Sequence, residues 1–209
     1  SGIFLVGLFN RIAEEWKQAN PGARNDRKAK ELMQLMQESL YGVDVSLTAC
    51  RITAFSLYLA YLDQLSPPDI QALKDKGRAL PRLVIPRNNG DNSAVGGNIR
   101  EADFFASDVD FPADVSLVIG NPPWGGKASS GPLAVQWCKA RKKTIPNKHI
   151  ATAFIWKASD HVAKDGRICF LLPHGVLFNH SDKAIEFQAA WVKSNAIERV
   201  INLADLRFI

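Results

Sequence analysis

Residues 115–119, Val-Ser-Leu-Val-Ile, make a short apolar run that stops at Gly120-Asn121-Pro122-Pro123-Trp124. A run of this length and β-branched content predicts a buried strand. Two consecutive prolines then hold two φ angles at about −65° and remove two N–H donors, so the strand cannot continue in a sheet. The chain must leave the sheet through a stiff corner, and the rest of the sequence has to supply a sheet for it to leave.

It does so by alternation. Residues 3–18 set Ile3, Phe4, Val6, Leu8, Phe9, Ile12, Ala13 and Trp16 at three- and four-residue steps, which predicts a helix that Asn20-Pro21-Gly22 ends. Residues 26–40 predict a second helix with Leu32, Met33, Leu35 and Met36 inward, the methionines as core filler. Residues 40–45 read as a short strand finishing at Asp44, after which Ser46 can cap a helix to about residue 62. Ser66-Pro67-Pro68 breaks the chain. Residues 82–85 predict a strand, 88–98 an exposed Asn- and Gly-rich loop, and 98–105 a short strand ending at Asp103. Beyond the proline corner, residues 125–148 read as a long loop with one helical turn. A helix over 151–163, stopped at Lys164-Asp165-Gly166, precedes a strand over 167–172. A helix over 185–194 and a last strand over 197–203 complete the pattern. Helices alternating with buried strands predict an α/β fold, a doubly wound and mostly parallel sheet. Such sheets bind ligands at the carboxyl ends of their strands, where this topology gathers Asp44, Asp103 and Asn121.

Composition narrows the class. Of 209 residues, 46% are hydrophobic and 22% charged, which excludes a disordered or fibrous chain. The net charge of +5 permits a polyanionic partner without requiring one. Cys50, Cys138 and Cys169 are odd in number and lack metal-ligand spacing. A disulfide framework and a zinc site are therefore not expected, and a reducing cytoplasm is. No apolar run approaches the roughly 20 residues that cross a bilayer. His149, His161, His174 and His180 share no ligand spacing, so no metal is expected. Trp137, Trp156 and Trp191 read as packing residues, Cys138 as a loop thiol and Cys169 as a core residue.

The corner carries the chemistry. Pro123 has no N–H, so the Pro122 carbonyl is a rigid acceptor with no neighbouring donor competing for it, and the Asn121 side-chain oxygen adds a second. Two fixed acceptors suit an exocyclic amino group gripped by both its hydrogens, and the indole of Trp124 offers a flat face for a base. The plainer alternative is a proline turn with Trp124 packed on the surface. Asp44 at a strand end can accept two hydrogen bonds from a ribose diol, or can simply cap a helix. Lys139, Arg141, Lys142 and Lys143, with Lys148, form a basic cluster in 125–148 that can clamp phosphates, or can be a solvated charged loop.

Asn121-Pro122-Pro123-Trp124 at a strand end resembles the catalytic signature of the amino-methyltransferases, most strongly the DNA adenine-N6 methyltransferases of restriction–modification and phage-defence systems. The resemblance covers nearly the whole chain in order. Ser1-Gly2-Ile3-Phe4-Leu5-Val6 is similar to the tail of that family's glycine-rich cofactor motif, and Tyr41-Gly42-Val43-Asp44 to its ribose-binding strand. Ala102-Asp103-Phe104-Phe105 resembles the element that meets the adenine of S-adenosylmethionine. Phe154-Ile155, Lys164-Asp165-Gly166-Arg167-Ile168, Leu172-Pro173 and residues 197–208 are similar to the family's segments after the catalytic loop, where Phe208 stands at an aromatic position near the flipped base.

The resemblance implies a Rossmann-like methyltransferase sheet and transfer of a methyl group from S-adenosylmethionine to the N6 amino group of an adenine extruded from double-stranded DNA. Asn121, Pro122, Pro123 and Trp124 would be catalytic. Gly2, Phe4, Asp44, Asp103, Phe104 and Asn121 would hold the cofactor, and Trp124 with Lys139, Arg141, Lys142 and Lys143 would meet DNA. Unstacking the base costs a few kcal/mol, and stacking on Trp124 would return about 1–3 kcal/mol. Because the resemblance starts inside the glycine motif, the expectation is a partial catalytic domain lacking its first strand and its target-recognition region. A preceding segment, a specificity subunit or other defence-system subunits would then be its partners. Release-factor glutamine or rRNA guanine methylation, and a non-catalytic segment, are the competing readings.

Overall fold

The computed structural model describes residues 2–77, 79–87, 97–107, 111–124, 132–146 and 149–203, without the side chain of residue 72. The chain forms two compact units, Ser1–Pro112 and Ala113–Ile209.

The first unit opens with α1 (Ile3–Ala19) and α2 (Asn25–Glu38). Gly2, which precedes α1, has φ 78°, and a Cβ there would lie 2.7 Å from Thr53 Cγ2 and Oγ1. Both the left-handed backbone and the close approach require glycine. β1 (Gly42–Asp44) comes next, then α3 (Leu47–Asp63), whose cap Ser46 accepts the Ala49 N–H at 3.3 Å, as the sequence predicts.

Ser66-Pro67-Pro68 does more than break the chain, because it starts α4 (Pro67–Asp75). Proline fits a first helical turn, where its missing N–H would have had no partner. The Asp69 carboxylate closes the turn by accepting from the Ser66 N–H and hydroxyl, and it is fully buried beside Lys28 of α2.

β2 (Val84–Ile85) and β3 (Ile99–Glu101) complete a parallel three-stranded sheet in the order β1-β3-β2. Asn98, expected in an exposed loop, is instead buried, and its amide donates to the carbonyls of Met36 and Leu40 at 2.7 and 2.8 Å. It ties the end of α2 to the start of β3; residues 88–96 of the same expected loop lie outside the described residues. Phe9, Leu32, Met36, Leu57, Tyr61, Leu83 and Ile99 form the core, each at most 2% exposed. Burying side chains of this size contributes about 1.5–3 kcal/mol apiece.

In the second unit, β4 (Val115–Gly120) pairs in parallel with β5 (Val162–Phe170). β4 is half-buried rather than buried throughout, with Ser116 exposed. Leu117, Val118, Ile119 and Gly120 face Arg167, Ile168, Cys169 and Phe170 in regular register. Ahead of that the ladder is irregular. Val115 faces Val162 although Leu117 faces Arg167, so Lys164-Asp165-Gly166, expected to stop the preceding helix, lies inside the strand assignment as the irregularity. A Cβ on Gly166 would sit 2.6 Å from Val162 Cγ2 and 2.9 Å from the Val115 carbonyl, which is why a glycine stands there.

The stretch expected as a long basic loop contains α5 (Pro132–Ala140), with Ala134, Trp137 and Cys138 buried along one face; residues 125–131 and 147–148 lie outside the described residues. Proline and glycine at its margins hid a genuine three- and four-residue apolar spacing. The end of α5 is a Schellman turn: Lys143 N–H donates to the Cys138 carbonyl at 2.9 Å and Lys142 N–H to that of Lys139 at 3.2 Å. Lys142 occupies the left-handed position, with φ 52°, that glycine ordinarily takes. Lys142→Gly is therefore expected to stabilise the second unit by about 1 kcal/mol, read as a raised urea midpoint at unchanged m.

α6 (Ile150–His161), α7 (Gly175–Phe178) and α8 (Asp182–Val192) finish the unit. Trp156 of α6 meets Phe187 of α8 edge-on, ring centres 5.4 Å apart, and Gln188 donates to the Leu177 and Asn179 carbonyls at the end of α7. The last expected strand does not form in the described residues. Residues 195–203 are irregular, and Ile197, Val200, Ile201 and Leu203 are 47–68% exposed. Their spacing suits a strand, but strand structure needs a hydrogen-bonded neighbour that no described residue supplies.

Candidate functional site

In the first unit, parallel pairing sets Asp44 opposite Glu101, and the Ala102 N–H donates to the Asp44 carbonyl at 2.9 Å. Asp44 and Asp103 consequently share the carboxyl rim of neighbouring strands, whereas Asn121, expected beside them, follows β4 of a separate sheet in the second unit. Each carboxylate organises its own turn: Asp44 Oδ1 accepts the Ser46 N–H at 2.9 Å and Asp103 Oδ1 the Phe105 N–H at 2.8 Å. An ionised carboxylate has about four acceptor positions, so both retain capacity for a ligand.

Phe104 is half-buried and packs edge-on against Phe105 and Phe111, at 5.6 and 5.2 Å between ring centres. Phe111 had no sequence signal; it emerges only because the chain folds back beside the Asp-Phe-Phe element. Gly2 precedes α1, while Phe4 sits half-buried in its first turn. Cys50 lies under this rim, its thiol 3.4 Å from the Arg100 carbonyl and 3.7 Å from that of Asp44. Burial, and then the nearby Asp44 charge, push its thiol up from the ordinary range, so it stays protonated and unreactive.

In the second unit, Asn121-Pro122-Pro123-Trp124 leaves the carboxyl end of β4. Leu171 N–H donates to the Gly120 carbonyl at 3.1 Å, and the Trp124 indole N–H donates to the Leu171 carbonyl at 3.2 Å. The corner is pinned on both sides by the segment after β5, while Trp124 stays 55% exposed. Asn121 is exposed and Pro122 buried. Neither the Asn121 amide nor the Pro122 carbonyl hydrogen-bonds to any described residue. The backbone-fixed Pro122 carbonyl and the exposed Asn121 amide oxygen, engaged by no described residue, are available to a ligand's donors.

The basic cluster divides. Arg141 lies over the Trp137 ring at 4.4 Å and 3.8 Å from Asp160, and Lys143 lies over the Trp156 ring at 4.2 Å. Both cations are thus partly occupied within the protein. Lys139 and Lys142 are exposed with no partner among the described residues. Lys148 and Phe208 lie outside the described residues.

The cysteine readings exchange places. Cys138 is buried in α5, where burial pushes its thiol up to about 11 against the opposing pull of Lys143 and Arg141, whereas Cys169 on β5 is exposed. Trp137 and Trp156 are buried packing residues, as expected. No group of metal-binding side chains occurs among the described residues, and no helix among them is long and apolar enough to cross a membrane.

No curated protein and no solved structure matches the chain. The family model of the Eco57I restriction-modification methylases matches residues 38–208, a span that starts ahead of β1 and includes both acidic strand ends and the proline corner. That span is well over half of the chain, and the chain belongs to the Eco57I restriction-modification methylase family.

Proposed function

We propose that the protein transfers a methyl group from S-adenosylmethionine to the N6 amino group of an adenine flipped out of double-stranded DNA, on a doubly wound, Rossmann-like methyltransferase sheet. The observation that carries this reading is the pair of unengaged oxygens, the Asn121 amide and the Pro122 carbonyl, at a corner that two prolines and the Trp124–Leu171 hydrogen bond hold rigid.

The first-unit rim fits the cofactor: Asp44 can take the ribose diol, Asp103 and the ring of Phe104 can meet its adenine, and the turn at Gly2 admits no side chain. S-adenosylmethionine, when bound, supplies an electrophilic methyl on a sulfonium. The protein's own part lies in the amino group. An adenine amine is a poor nucleophile because its lone pair is delocalised into the ring. Asn121 and Pro122 accept its two N–H groups and hold the nitrogen in line. As that nitrogen pyramidalises and gains positive charge, both hydrogen bonds strengthen, so they favour the transition state over the ground state. Trp124 stacks on the extruded base and offsets part of its unstacking cost. Lys139 and Lys142 contact phosphates without reading sequence.

The deciding experiment incubates the full protein with methyl-labelled cofactor and duplex DNA, then digests the DNA to nucleosides. Label is expected in N6-methyl-2′-deoxyadenosine. Label in N4-methyl-2′-deoxycytidine, or transfer only to rRNA or to a glutamine-containing protein, would overturn the adenine assignment.

A further inference from the structure

The first unit carries a cleft, lined by none of the Asp44–Asp103 rim residues, of about 280 Å³ and open to solvent. Arg51, Phe55 and Tyr58 of α3 form one wall, at i, i+4 and i+7 on one helix face, and Arg82, Val84 and Pro86 on and around β2 form the other. The cleft is braced. The Tyr58 hydroxyl donates to the Pro81 carbonyl at 2.5 Å and accepts the Leu83 N–H at 3.3 Å, which clamps the backbone on both sides of Arg82 against α3. The Phe55 ring is 61% exposed. Arg51 and Arg82 are both exposed, and neither has an ion-pair or hydrogen-bond partner among the described residues. Among the described residues no carboxylate lines the cleft.

We propose that this cleft binds a single strand of nucleic acid, with phosphates on Arg51 and Arg82 and a base stacked on Phe55. Guanidinium forks match phosphate oxygens, and an aromatic face accepts any base, which is the combination that holds a strand without reading its sequence. A lining of described residues without an acid leaves both cations to an incoming anion, and the opening to solvent admits one. This inference rests on the DNA-methylase reading, in which extruding a base exposes unpaired strand that a sequence-blind cleft can hold.

The test measures fluorescence anisotropy of a labelled 12-nucleotide single strand with the full chain, without cofactor, across a salt series. Arg51→Gln with Arg82→Gln is expected to weaken binding at least tenfold and to flatten the log–log salt slope by about 1–2. Phe55→Ala is expected to weaken it about tenfold at unchanged slope. Circular dichroism melts establish that the variants fold. Affinity within twofold of wild type in folded variants overturns the inference, as does equal competition by polyglutamate, which would assign the cleft to an acidic peptide. Adenine methylation by the wild type alongside unchanged binding in the variants sinks the cleft and spares the methylase reading. Weakened binding without any methylation does the reverse.

Discussion

Asn121→Ala is expected to lower single-turnover methyl transfer by about 10²–10³-fold while leaving the folded state intact. The reasoning is differential. The side chain is exposed and bonds to no described residue, so its removal costs the fold within about 0.5 kcal/mol. Its proposed partner is an amine that becomes more acidic as it attacks, and removing one preorganised partner of a developing charge costs on the order of 3–4 kcal/mol in the transition state. The expected signature is a fall in rate with dissociation constants for cofactor and DNA within about threefold. A variant that melts several degrees early would show that Asn121 holds structure instead, and one that loses cofactor affinity in step with rate would show that it holds the cofactor. A variant with the wild-type rate would remove the corner from the chemistry.

The largest effect on stability is expected at Asp69, in the first unit. Its carboxylate is fully buried, closes the first turn of α4 through Ser66, and holds Lys28 of α2. Asp69→Ala leaves the Ser66 N–H unpaired and the partly buried Lys28 without its counter-charge, at a cost of about 3 kcal/mol. Burial by itself raises the Asp69 pKa, but the hydrogen bonds from Lys28 and Ser66 and the Lys28 charge outweigh it, so the carboxyl sits below the usual range. A carboxyl with a depressed folded-state pKa stabilises the fold above its unfolded value and loses that contribution as pH falls through the folded one. The wild type should thus lose stability in acid below about pH 4, and the alanine variant should lose less over the same window. Denaturation midpoints at pH 7 and pH 3 measure both. Equal acid losses in the two proteins would refute the linkage.

These two residues differ in how far the sequence revealed them. Asn121 was legible because a proline pair stiffens backbone wherever it occurs, and its consequence does not depend on neighbours. Asp44 and Asp103 were legible for a related reason: a short apolar run ending in an acid predicts a strand end, and parallel pairing then sets such ends side by side. Asp69 and Asn98 were not. Their sequence setting is that of turn residues, and only the packing of α2 against α4 and β3 turns a polar side chain into a buried clamp. The cleft at Arg51 and Arg82 was equally hidden, since the end of α3, a turn and α4 separate its walls along the chain.

Errors ran in both directions at the carboxyl-terminal half. Residues 132–140 read as loop because glycine and proline crowd their margins, yet the burial of Trp137 and Cys138 makes a helix. Residues 197–203 read as strand because their apolar pattern fits one, yet no described strand pairs with them. Local sequence determined where the backbone stiffens, where helices are capped and which strand ends carry side-chain oxygens, because those depend on covalent geometry and near neighbours. Tertiary structure decided which polar groups are buried, which cations are spent on indole faces and which apolar segments find a partner, because each requires a contact between residues that the chain order keeps apart.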